Sequence, residues 1–143
     1  MAFEIKTPPE FTVEIEQWNR ETLADGIEMS KVIEKLLNNT IYNKHQRECQ
    51  NHTTLVFLAA SGWIGETAPY VQTASVDGAK DGPEPLLVSA LTDGASLETQ
   101  KAYVKAFSIL CGGTATLGEG VATFKVYKKP VTDITIGLRG VGM

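Results

Sequence analysis

The chain has little of what most protein chemistry needs. Two cysteines, Cys49 and Cys111, stand far apart in 143 residues, and their spacing is not that of a metal site. Two histidines, His45 and His52, stand near each other, but two imidazoles leave a metal short of ligands. Only a symmetric oligomer, gathering copies of one histidine on an axis, would supply more. No apolar run approaches the roughly 20 residues that cross a bilayer, so membrane insertion is not expected. The opening Met-Ala-Phe-Glu-Ile-Lys lacks the apolar centre of a signal peptide. Synthesis in a cytoplasm is therefore expected, with both thiols unpaired in a reducing setting. Basic charge is scarce as well: 13 Lys and Arg face 17 Asp and Glu, for a net charge of −4. Nucleic-acid binders gather cations to displace counterions. The nearest basic run, Lys125, Lys128 and Lys129, is too small for that, and no nucleic-acid partner is expected.

Catalytic arrangements are missing too. Ser61-Gly62-Trp63-Ile64-Gly65 is not a nucleophile elbow, because the serine is not flanked by glycines and no helix follows. Gly112-Gly113-Thr114 and Gly118-Glu119-Gly120 resemble hairpin turns more than phosphate loops, since no lysine follows in the required place. A carboxylate pair can hydrolyse a sugar bond. Here Asp25, Asp77, Asp81 and Asp93 stand in caps or beside turn glycines, which is an ordinary structural use. No catalytic residue, no metal and no cofactor are expected, and the chain is not expected to be an enzyme.

With 43% hydrophobic residues the chain can bury a core, which argues against disorder. Its character changes near residue 50. Residues 1–24 are irregular, with Pro8 and Pro9 opposing a helix. Phe11 to Glu16 alternates apolar and polar, as an extended arm does, and Trp18 follows. Such an arm packs either on its own domain or on a neighbouring copy. Asp25-Gly26-Ile27-Glu28 is a capping-box pattern. Met29, Val32, Ile33, Leu36 and Leu37 then form one apolar stripe at helical spacing, continued by Ile41. The spacing predicts one amphipathic helix over 25–48, which either stops at Asn38-Asn39-Thr40 or runs on through Lys44 and Arg47. The stripe suits packing on the chain's own sheet or on the same helix of other copies. Met29, Val32, Ile33, Leu36, Leu37 and Ile41 are the candidate oligomer interface.

From Thr53 the period becomes that of strands. Strands are expected at Thr54–Leu58, Tyr70–Val76, Leu86–Leu91, Val121–Tyr127 and Ile134–Leu138, divided by turns such as Asp77-Gly78 and Asp81-Gly82-Pro83. In the fourth, Ala122, Phe124 and Val126 share one face; in the last, Ile134, Ile136 and Leu138 face inward. Ser96 caps a short helix through Tyr103, and Phe107–Cys111 is a further apolar run that ends at Gly112-Gly113. The fold class that follows is mainly β with an N-terminal helix: a small antiparallel sandwich over 51–143, preceded by an arm and an oligomerisation helix over 1–50. Trp63 and Tyr70 are the aromatic binding candidates, because loop aromatics stack on sugar rings and anchor interfaces. The competing reading is that both plug the end of the core.

Residues 54–76, with Ala60-Ser61-Gly62-Trp63-Ile64-Gly65 followed by Ala68-Pro69-Tyr70-Val71-Gln72-Thr73, resemble a module of tail-fibre and baseplate-associated structural proteins of phages and prophages of Gram-positive bacteria. Its core is a strand, Gly-Trp, a short loop, Pro-Tyr and a second strand. Phe124 to Ile136, with the Lys129-Pro130 turn leading into Asp133-Ile134, resembles that module's last hairpin. Asp25-Gly26, Met29 and Leu36-Leu37-Asn38-Asn39 resemble the helix before it. The resemblance spans roughly residues 22–140 and carries over scaffold residues only, so it assigns no binding residue. It implies a virion component at the tail tip, often trimeric, with the β-domain outermost. Partners would be other copies of the chain, other tail or baseplate proteins and a host cell-wall glycan. A connector within the baseplate with no receptor contact is the alternative, and a small carbohydrate-active enzyme is a third.

Overall fold

The structure, a computed structural model, describes residues 2–17, 26–82 and 84–142. Trp18 and the Asp25 cap lie outside the described residues. The chain divides into two units, Met1–Glu48 and Cys49–Met143.

In the first unit, residues 2–17 have no helix or strand, and α1 runs from Gly26 to Asn51, its last turn passing into the second unit. The helix does not stop at Asn38-Asn39-Thr40. Asparagine is a poor interior residue because its amide competes for nearby backbone. Here those amides are occupied by the arm. Asn38 Nδ2 donates to the Glu4 carbonyl at 3.0 Å, and the Lys6 N–H donates to Asn38 Oδ1 at 3.0 Å. The next residue, Asn39, binds both backbone groups of Thr12: Oδ1 accepts its N–H at 2.7 Å and Nδ2 donates to its carbonyl at 2.9 Å. Each side-chain amide offers the arm one donor and one acceptor, as a neighbouring strand would. Glu34 Oε1 accepts from the Glu4 N–H at 3.0 Å, and Phe11 packs its ring 5.6 Å from that of Tyr42.

The second unit holds six strands and a second helix. The strands are β1 (Thr53–Leu58), β2 (Tyr70–Ser75), β3 (Leu86–Ser89), β4 (Thr114–Gly118), β5 (Val121–Val126) and β6 (Ile134–Arg139), with α2 (Leu97–Cys111) between β3 and β4. They form two three-stranded sheets, ordered β1-β6-β3 and β2-β5-β4. Every pairing is antiparallel. The alternation holds: Ile134, Ile136 and Leu138 on β6 face inward as expected, and of the two β5 faces it is that of Ala122, Phe124 and Val126 that is buried. One core takes side chains from both sheets and from Ala106 and Leu110 of α2. Gly137 is required in β6, because a Cβ there would sit 2.5 Å from Val88 Cγ2 and 2.7 Å from Thr53 Cγ2 on the flanking strands.

The structure differs from the expectation at two places. The helix expected through Tyr103 runs on to Cys111, so the apolar run Phe107–Cys111 is the end of α2. Tyr103, Ala106, Phe107 and Leu110 recur at three and four residues, so the run continues the helical stripe. Thr114–Gly118 is a strand where the sequence suggested only turns. Gly118-Glu119-Gly120 does make the hairpin that pairs β4 with β5, and Gly120 takes the left-handed φ of +69° there. Ser96 caps α2 as expected, accepting from the Thr99 N–H at 3.2 Å. Tyr103 pins α2 to a sheet, its hydroxyl donating to the Thr135 carbonyl at 2.9 Å and accepting from the Ala90 N–H at 2.8 Å.

Candidate interaction surfaces

Trp63 follows a short 3-10 turn, Ala60–Gly62, whose start is fixed by Asp133 Oδ1 accepting the Ala60 N–H at 2.8 Å. Ile64 then bridges to Val71 by two backbone bonds, of 2.8 and 2.9 Å. Between these anchors Trp63 turns inward. It is 5% exposed and belongs to the core, while its neighbour Ile64 is exposed. The indole face is therefore not presented to a sugar ring, and the flanking glycines do not leave it facing outward. Tyr70 is half-buried and packs on the same core. Trp63 is thus a core residue, and Tyr70 is a half-buried neighbour of that core. Trp63 Nε1 and Gln72 Oε1 are buried and have no hydrogen-bond partner. Gln72 packs so closely on Gly62 that any Cβ at 62 would collide with its amide.

The α1 stripe divides. Val32 is buried, and Met29, Leu37 and Ile41 are half-buried, but Ile33 and Leu36 are 44% and 50% exposed. Ile27 on the same helix and Phe3, Ile5, Phe11, Val13 and Ile15 on the arm are exposed too. The only buried residues described in this unit are Val32 and Asn38.

No protein-family model, curated protein or solved structure matches this chain.

A surface absent from the sequence-based list lies on the second unit. Lys101, Lys105, Lys128 and Lys129 surround a groove of about 520 Å³, floored by Ala102, Ala106 and Ile109 and edged by Val131 and Thr132. Two of the lysines come from successive turns of α2, and two from the connection between β5 and β6. Lys129 Nζ stands 4.7 Å from the centre of the Tyr70 ring, a cation–π distance. The sequence grouped Lys128 and Lys129 with Lys125, which lies on the opposite, exposed face of β5 from Phe124 and Val126 and does not line the groove. The usable signal was the Lys101/Lys105 spacing of four, visible only once α2 is known to continue past Tyr103.

No disulfide joins Cys49, which is half-buried, to Cys111, which is exposed. Among the described residues no group of three or more His, Cys, Asp or Glu is placed to hold a metal ion. No helix among them is long and apolar enough to cross a membrane.

Proposed function

We propose that this chain is an oligomeric structural protein of a phage or prophage tail tip, assembling through its N-terminal unit. The observation that carries the reading is the apolar surface left open there. Side chains of this kind on both the arm and α1 remain exposed around two buried residues, and a segment this short rarely buries enough apolar surface to hold itself together. So many large apolar side chains left exposed on one short unit suit an interface. Other copies of α1 and of the arm would cover it, most simply as a trimer with Ile33 and Leu36 facing the axis. The virion setting rests on the resemblance of residues 22–140 to tail-fibre and baseplate components. In that setting the two sheets pack face to face as a small sandwich, which the shared core supports. The burial of Trp63 favours a structural connector over a receptor-binding tip that uses this tryptophan.

The test is the mass in solution of the whole chain and of the Ile33→Asp/Leu36→Asp variant. Both positions are exposed within one copy, so the charges disturb an interface and not the fold of a monomer. An oligomer that becomes monomeric in the variant, with the β-unit's melting unchanged, is expected. A wild-type monomer at micromolar concentration would sink the proposal.

A further inference from the structure

The lysine groove lies on the second unit, outside the α1 surface proposed for self-association, and its charges are of one sign. None of its nine lining residues is acidic, although the chain as a whole carries net charge −4. None of its four lysines forms an ion pair among the described residues, where the pairs are Lys6–Glu10, Lys31–Glu28 and Lys44–Glu48. Lys101 and Lys105 repel each other across one turn of α2, which works against the helix. Lys128 and Lys129 add two more positive charges at the same opening. The arrangement costs the free protein stability that an anion would return. Between the charges the floor is apolar: Ala106 is buried, Ala102 and Ile109 are half-buried, and Val131 stands exposed at the rim.

We propose that this groove binds a soluble organic anion, a phosphate or carboxylate attached to an apolar portion. The lysine ammonium groups hold the anion, and the apolar portion lies on Ala102, Ala106 and Ile109. The Tyr70 ring steadies Lys129 at one end, so that less side-chain freedom is lost when the ligand arrives. A concave site with an apolar floor and a few convergent charges is the usual form of a small-ligand site. A membrane surface would instead meet a convex basic face with protruding apolar side chains.

The test is a two-dimensional amide NMR titration of the full chain with hexyl phosphate, inorganic phosphate and hexyl glucoside, each below any micelle-forming concentration. Hexyl phosphate should give saturable shifts confined to residues 101–109 and 128–132. Inorganic phosphate should bind at least about tenfold more weakly, and hexyl glucoside should not saturate. Affinity should fall with ionic strength, because exposed charges are screened. Lys105→Glu/Lys128→Glu, both at exposed positions, should lose binding by at least about tenfold while shifts elsewhere stay in place. Equal binding of hexyl glucoside would reduce the groove to an apolar patch. Shifts spread over all surface lysines, or unchanged binding by the double variant, would show an adventitious anion only. Binding to anionic phospholipid vesicles without binding to hexyl phosphate would assign the lysines to a membrane surface and overturn the proposal.

Discussion

The two units are held together by different physics. In the second, apolar side chains from two sheets and a helix close on one another, and Trp63 Nε1 and Gln72 Oε1 are buried without a hydrogen-bond partner. In the first, an arm is held on a helix mainly by side-chain amides that bond its backbone, while most apolar side chains stay at the surface. Hydrophobic burial is strong and undirected, whereas amide-to-backbone bonds fix register and contribute a modest net free energy. The first unit therefore specifies where the arm lies without gaining much from it. An element that is well placed but poorly buried is what an assembly interface needs before its partner arrives.

The largest effect should come from the closed core. Phe124 is 1% exposed at the centre of β5 and is paired with Gln72 and Ala115. Phe124→Ala should cost about 3–5 kcal/mol, through lost burial and the cavity left behind. Urea unfolding of the second unit's signal would measure it. A cost below about 1 kcal/mol would mean that this core collapses freely, and the contrast with the first unit would fail.

Next in size is the clasp of α2. Tyr103→Phe removes the hydroxyl shared by the Ala90 N–H and the Thr135 carbonyl, both in partly buried surroundings. The ring still stacks on Phe107, at 5.7 Å. Two backbone groups left unsatisfied should cost roughly 1–3 kcal/mol, read as a global loss of stability. A change confined to local exchange near residue 90 would show that α2 is attached by its apolar face alone.

How much of this was legible in the sequence depended on whether a residue's partners were near or far. The β5 and β6 faces were readable because strand alternation is local and a half-buried strand obeys it. The continuation of α2 was hidden because Phe107–Cys111, read alone, is an apolar run of strand length, and only its register with Tyr103 reveals the helical period. One helix over 25–48 was legible, but whether it ran past Asn38-Asn39 stayed open, because their helix-opposing amides are satisfied by Glu4, Lys6 and Thr12, some thirty residues away in sequence. Trp63 between two glycines has the pattern of an exposed loop aromatic. What buries it is a pairing of Ile64 with Val71 and a bond from Ala60 to Asp133. The groove needed the most non-local information, since its lysines come from two elements that neither spacing nor charge runs connect.

The arm should respond differently from the core. Asn38→Ala removes the donor to Glu4 and the acceptor for Lys6. Its cost should be roughly 1–3 kcal/mol, but spent locally. The amides of Lys6 and Thr12 should lose protection from hydrogen exchange while the urea midpoint of the second unit stays unchanged. Asn39→Ala should do the same for Thr12 with less effect on Lys6. If the arm remained protected in both variants, contacts other than the amides would hold it, and the directed-bond account of this unit would fall.

The smallest effect belongs to the ion pair described on the arm. Lys6 Nζ lies 2.7 Å from Glu10 Oε2. The hydrogen bond, and then the charge attraction, hold the Glu10 carboxyl below its ordinary range and the Lys6 ammonium above its own. The lowered carboxyl contributes stability above its unfolded pKa and loses it as pH falls through the folded value. The raised ammonium contributes below its unfolded pKa and loses it as pH rises through the folded value. The pair is thus complete across neutral pH and broken at either extreme. Both side chains are exposed, and there side-chain entropy and screening cancel most of the attraction. Glu10→Gln should therefore leave the melting curve and the Lys6 and Thr12 exchange rates unchanged at neutral pH. A clear loss of arm protection in Glu10→Gln at neutral pH, reproduced in the parent chain only on acidification, would show that charge and not the asparagine amides fixes the arm on α1.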